Sequence, residues 1–223
     1  MLTIYGVPIS VHTRKVIATA KLKGFDFTVE PVIPFNPPDD WRSMSPTGLI
    51  PAISHGDYRL ADSNAICAYL EQAAPTPPIY PTDAKGLGRA LWLEQYGTSV
   101  LFSRIVHPLF FQKIIRPHVL KQGDPDEAAI GQVLSETVPG VFGYLENQIA
   151  GDFLVNGALT IADITVASNL LNFQYLGFRV DGSRYPKLAA SFAHTIRQSA
   201  FRDLLASEEP FAAQMGLDRS FLN

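Results

Sequence analysis

Three places along the chain combine residue types and spacing that can do chemistry. Ser10 follows Pro8 and Ile9, in a turn between an apolar stretch and a helical pattern. Free N–H groups and the helix dipole favour an anion at such a helix start. A hydroxyl there can donate to a thiolate and lower that thiol's pKa. Free thiols titrate near 8.5, so a drop of about two units turns a few per cent of thiolate into most of the population at pH 7. The same serine also reads as a plain N-cap. Asp62 and Ser63 precede the apolar run Asn64-Ala-Ile-Cys-Ala-Tyr-Leu70. Ser63 is a good N-cap, and its hydroxyl with the free N–H groups can hold a carboxylate. Asp62 can accept from an ammonium. The pair suits an α-amino acid head group, or else a helix cap beside a solvated Asp. Between these two places Pro51 follows Ile50 at the entry to a short strand. A cis bond would turn the Ile50 N–H and C=O toward a ligand instead of a neighbouring strand, whereas an ordinary strand-start proline is trans.

Other reactive side chains point elsewhere. The single cysteine, Cys67, lies four residues past Ser63 among Ile66, Ala68 and Leu70 and reads as a core residue. Histidines at 12, 55, 107, 118 and 194 form no HExxH or Cys/His cluster, so no metal site is expected. His12 is near enough to Ser10 to tune it but reads as a solvated first-turn residue. There is no GxSxG and no phosphate-binding glycine loop. Thr160-Ile-Ala-Asp163 has capping-box spacing ahead of a buried helix.

The elements that must position these residues follow from periodicity and punctuation. Leu2–Tyr5 reads as a strand, 11–23 as a helix stopped by Gly24, and 27–33 as a second strand. Strand–helix–strand at this length is a βαβ unit with parallel strands. Residues 50–54 and 58–60 flank His55-Gly56-Asp57 as a hairpin, and 63–73 is the next helix. The half-domain is therefore βαβ-ββα, a thioredoxin-like arrangement over residues 1–75. The proline-rich stretch around 76–83 reads as a linker. An all-helical domain fills 84–223, with helices near 84–115, 125–149, 160–176, 186–198 and 200–207. Pro108 and Pro117 are expected to kink or end the first of them.

Composition excludes several classes. With 223 residues, 47% hydrophobic content and a net charge of −3, the chain can build a large core but carries no basic field for nucleic acid. No polybasic stretch suggests a membrane surface, and no apolar run is long enough to span one. Met1-Leu-Thr-Ile-Tyr-Gly6 reads as a strand rather than a secretory signal. One cysteine excludes an intramolecular disulfide and fits a reducing cytoplasm.

Taken together, Tyr5-Gly-Val-Pro-Ile-Ser10 with Arg14-Lys-Val16, Ser45-Pro-Thr-Gly-Leu-Ile-Pro51, Asp62-Ser63 and Thr160-Ile-Ala-Asp163 resemble the cytosolic glutathione S-transferase family. The resemblance covers nearly the whole chain and is to the serine-type classes, phi-like or related bacterial. It implies a homodimer with glutathione as co-substrate and no metal. It implies that Ser10 contacts the glutathione sulfur, that Ile50 ahead of the cis Pro51 pairs with the cysteinyl unit, and that Asp62 and Ser63 hold the γ-glutamyl group. The implied activity is conjugation of the glutathione thiolate to small hydrophobic electrophiles. These would lie in a cleft facing residues 92–111, where Phe102, Phe110 and Phe111 could line it. The alternatives are a glutathione-fold binding protein without turnover, and a glutathione-dependent isomerase or dehalogenase. The sequence departs from the family pattern in the loop 36–42, where only Arg42 is basic, and at Leu49, where relatives carry a polar residue. Tyr5 is the alternative thiol-activating group, although its spacing to Arg14 favours Ser10.

Overall fold

Alternating apolar residues close a four-stranded sheet first. In the computed structural model, which describes residues 1–222, β1 (Leu2–Tyr5) is central and buries Leu2 and Ile4. It pairs parallel with β2 (Phe27–Glu30) and antiparallel with β3 (Ala52–His55), and β3 pairs with β4 (Tyr58–Ala61), giving the order β2-β1-β3-β4. The mixed sheet carries α1 (Val11–Leu22) and α3 (Ser63–Ala73), and a one-turn α2 (Trp41–Met44) sits in the loop before β3. This is a thioredoxin-like N-terminal domain. Strand β2 is shorter than the apolar pattern 27–33 predicts, because Pro31 has no N–H to continue the ladder.

The rest is helical. A rod runs from 84 to 119: α4 (Ala84–Tyr96), a wide-turn stretch Gly97–Val106, α5 (His107–Phe110) and a second wide-turn stretch Phe111–Val119. Pro108 was expected to kink or end this helix, but the chain continues helically through it. The surrounding turns are widened to i→i−5 hydrogen bonds, as from the His107 N–H to the Phe102 carbonyl, which relieves the crowding that a proline ring causes in a regular helix. The rod ends two residues after Pro117. Then follow α6 (Glu127–Gln132), α7 (Val138–Gln148), α8 (Ile161–Tyr175), α9 (Pro186–Ile196) and α10 (Ser199–Gln214). Helix α10 runs well past the predicted 207, through Pro210. No helix of the described residues is long and apolar enough to cross a membrane.

Helix α8 is the strut of this domain, with all fifteen of its residues buried. Gly97 on the rod touches it so closely that a Cβ there would lie 2.6 Å from the Thr165 methyl. The start of α8 is fixed as the capping-box spacing predicts. Asp163 Oδ2 accepts from the Thr160 N–H at 2.8 Å and its hydroxyl at 2.9 Å, and Oδ1 accepts from the Leu154 N–H at 2.7 Å. Burial pushes this carboxyl up to about 6 against the pull of those donors, which leaves it ionised and accepting at neutral pH. Asp163→Ala strands two buried N–H groups and is expected to lower stability by about 2–3 kcal/mol. A denaturant midpoint equal to wild type would rule the role out.

Candidate functional site

The turn from β1 into α1 places Ser10. Gly6 opens it at φ +149°, where a Cβ would come within 2.5 Å of Thr13 Oγ1 and 3.4 Å of the Ile50 side chain. Only glycine allows that approach, and it lays Ile50 against the turn. Ser10 is the N-cap of α1 by backbone geometry, φ −68° and ψ 131°. Its N–H donates to Val7 O at 3.0 Å and its carbonyl accepts from the Arg14 N–H at 2.8 Å. Its hydroxyl makes no capping hydrogen bond and is partly exposed. The plain N-cap alternative therefore lacks its defining contact, and the hydroxyl is left at a helix end with free N–H groups.

Pro51 follows Ile50 through a cis peptide. The Ile50 N–H and C=O have no hydrogen-bond partner among the described residues. The loop before it is braced from inside: Trp41 Nε1 donates to Gly48 O at 3.1 Å and Ser45 Oγ to Leu49 O at 2.7 Å. Arg42, exposed, donates to Pro46 O at 3.2 Å.

At the third place the capping roles differ from expectation. Asp62, not Ser63, is the N-cap of α3, and Ser63 is the first helical residue, with 5% exposure. Asp62 sits at φ 76°, in the left-handed region that a β-carbon disfavours. One oxygen, Oδ1, accepts from both the Asn64 N–H at 2.9 Å and the Ala65 N–H at 3.1 Å. The other, Oδ2, carries no hydrogen bond among the described residues. Aspartate and serine are both good caps, and the spacing alone does not separate them.

Further side chains refine the reading. His12 is only partly exposed: its ring meets Phe102 of the rod edge-on, with centroids 4.5 Å apart. Burial drives its pKa down to about 4, helped by Lys15 and opposed by Asp62, so the ring is neutral at physiological pH. Phe102 thus brings the helical domain onto the first turn of α1. Phe110 packs on the core, and Phe111 lines a separate cavity of about 330 Å³ with His107, Ile130 and Val133. Tyr5 gives its hydroxyl to a hydrogen bond with Ser54 at 3.2 Å, beside Trp41. Cys67 is fully buried, and burial pushes its thiol up to about 12. It is inert packing, as its neighbours predict.

Sequence reasoning missed the buried cations on α1. Lys15 Nζ donates to Asn64 Oδ1 at 2.5 Å and to Glu94 Oε1 at 2.8 Å. The Tyr80 hydroxyl donates to the same carboxylate at 3.2 Å. Lys15 so joins the Ser10 helix to the residue after Ser63 and to α4. Arg14 is fully enclosed against α8 and α10, with its guanidinium on Glu208. Consecutive Arg and Lys in a helix otherwise polar at its start read as a solvated face. Only the acidic partners, 79 and 194 positions away, reveal otherwise.

Family models match both halves of this architecture. The N-terminal domain model of the glutathione S-transferases matches residues 4–78 and the C-terminal domain model matches 110–200. A glutathione S-transferase 3 of Zea mays is 32% identical over 168 residues, covering 73% of each chain. The chain belongs to the glutathione S-transferase family. A Ralstonia sp protein called maleylpyruvate isomerase is 27% identical, over 78% of this chain and 81% of that one. A crystal structure of a Rhodospirillum rubrum F11 glutathione S-transferase superposes with TM-score 0.83 at 25% identity, over 92% of both chains. The two-domain fold read from the sequence is thus the fold of the family.

Proposed function

We propose that this glutathione S-transferase family member conjugates the glutathione thiolate to small hydrophobic electrophiles, acting as a homodimer. The observation that carries the reading is the free Ser10 hydroxyl at the start of α1. In the proposed complex that hydroxyl donates to the sulfur and favours thiolate over thiol. The unpartnered Ile50 N–H and C=O beside Pro51 pair with the cysteinyl unit. Asp62 Oδ2 accepts from the γ-glutamyl ammonium, while the Ser63 hydroxyl and the α3 amides take its carboxylate. Thiolate attack forms a C–S bond as the leaving group departs from the electrophile, and the thiol proton goes to solvent. His12, neutral and under Phe102, supplies no cationic charge to the thiolate, which leaves the hydroxyl and the helix N–H groups to favour it.

The head-group assignment has its own test. Asp62→Ala removes a charge-assisted hydrogen bond worth about 1.5–3 kcal/mol. Glutathione affinity is expected to fall at least about tenfold with the fold intact. Unchanged affinity by calorimetry sinks the assignment.

A glutathione-dependent isomerase on the same half-site is the second reading, favoured by the name of the Ralstonia relative. Stoichiometry separates the two. Conjugation consumes one glutathione per product, whereas isomerisation returns it. Tight glutathione binding with no turnover of either kind would leave a binding protein.

A further inference from the structure

One side chain of α1 ties the last long helix to the Ser10 turn. Arg14 has five N–H donors, and all five are satisfied. Nε and Nη2 hold the two oxygens of Glu208 at 2.6 and 3.0 Å. Nη1 donates to Ser168 O and Asn172 Oδ1, both at 2.7 Å. The second Nη2 bond goes to the carbonyl of Ile9 at 3.2 Å. That carbonyl is part of the peptide that joins Ile9 to Ser10. Glu208 on α10 is itself fixed by the Tyr175 hydroxyl of α8 at 2.8 Å. Neither Arg14 nor Glu208 is exposed to solvent.

We infer that Glu208 is a positioning residue for Ser10: by locking Arg14 it orients the Ile9–Ser10 peptide and so aims the serine hydroxyl. The inference rests on the proposal that this hydroxyl donates to the glutathione sulfur. Ser10 has one other anchor before it on the chain, the Val7 carbonyl that accepts its N–H. With Arg14 released, that one bond leaves the Ile9–Ser10 peptide free to rock. A small misplacement of a reacting group is costly out of proportion to its size. A two-point carboxylate is needed, because it sets the plane of the guanidinium and hence the direction of the remaining Nη2 donor.

The test compares Glu208→Gln, Ser10→Ala and the double variant, each with glutathione bound. Thiolate absorbance against pH gives the thiol pKa, and turnover with a reactive aryl halide gives kcat. Glu208→Gln is expected to raise the bound thiol pKa by about one unit and to lower kcat roughly tenfold at pH 6.5, with recovery above pH 8.5. Glutathione affinity should stay within about twofold, because its head group is held elsewhere. In the Ser10→Ala background the same change should move the thiol pKa no further, since the two act through one hydroxyl. A wild-type pKa in folded Glu208→Gln overturns the inference. So does an equal shift with and without Ser10. An unmoved pKa in Ser10→Ala alone overturns the underlying reading, and is told apart because Glu208 is intact in that protein. If Glu208→Gln does not fold, Arg14→Lys keeps the buried charge pair but loses the bond to Ile9 and should give the same shift.

Discussion

Ser10→Ala is expected to cut turnover with a reactive aryl halide by roughly 10- to 100-fold at neutral pH while leaving glutathione bound. The hydroxyl at the α1 N-terminus makes no capping bond, so its removal costs the fold little. On the proposed function, what it removes is a donor that favours the charged form of the thiol. The bound thiol pKa should then rise by about one to two units. The sign fixes the pH dependence. A raised thiol pKa depletes the thiolate below that pKa, so the loss is largest at low pH and shrinks as pH climbs past it. On the same proposal binding should persist, because Ile50, Asp62 and Ser63 are untouched. An unshifted thiolate titration with wild-type turnover would clear Ser10. Tyr5, engaged with Ser54, would then be a poor substitute, and the free N–H groups of α1 would be left as the activating group.

Lys15→Met is expected to have the largest effect on stability, about 3–5 kcal/mol at pH 8. Lys15 and Glu94 are 1% and 2% exposed, and removing the cation leaves a carboxylate buried without its charge partner. Burial already holds the Glu94 carboxyl above its ordinary range, with Lys15 opposing, and that opposition is lost in the variant. A carboxyl whose folded pKa lies above the unfolded value of about 4.3 contributes stability that is present below that value and lost as pH rises through the folded pKa. The variant should therefore be measurably less impaired at pH 5 than at pH 8. Adding Glu94→Gln should recover part of the loss at pH 8. Equal urea midpoints for Lys15→Met and wild type at pH 8 would show that the pair carries no stability.

These two cases mark what the sequence made legible. Ser10, Pro51 and the Asp62–Ser63 start of α3 were visible because each depends on local chemistry: a turn, an X-Pro bond, a helix end. The capping-box spacing at Thr160 was legible for the same reason, and with these the two-domain fold. The division of labour between Asp62 and Ser63 was not, because both residues cap well and only the backbone dihedrals decide. His12 looked solvated because its partner, Phe102, lies in the other domain. Arg14 and Lys15 were opaque on the same ground. Nothing next to a buried cation in sequence announces the acid that meets it. The overlong β2 and the kink or end expected at Pro108 were errors of punctuation. Pro31 stops a ladder that hydropathy alone would continue, and the widened turns around Pro108 carry a helix that a proline rule would stop.

Helix α1 runs without a break in burial from Thr13 to Ala20, with the sheet and α3 on one side and α8 and α10 on the other. A helix so enclosed has no position at which change is free. Random drift on it is filtered by packing, whatever the substrate. The surface is different. Phe35, Leu49 and Trp92 are each more than half exposed and answer to no buried partner charge. Substitutions in descendants of this chain should accordingly accumulate at such exposed positions, while helix α1 is inherited nearly whole.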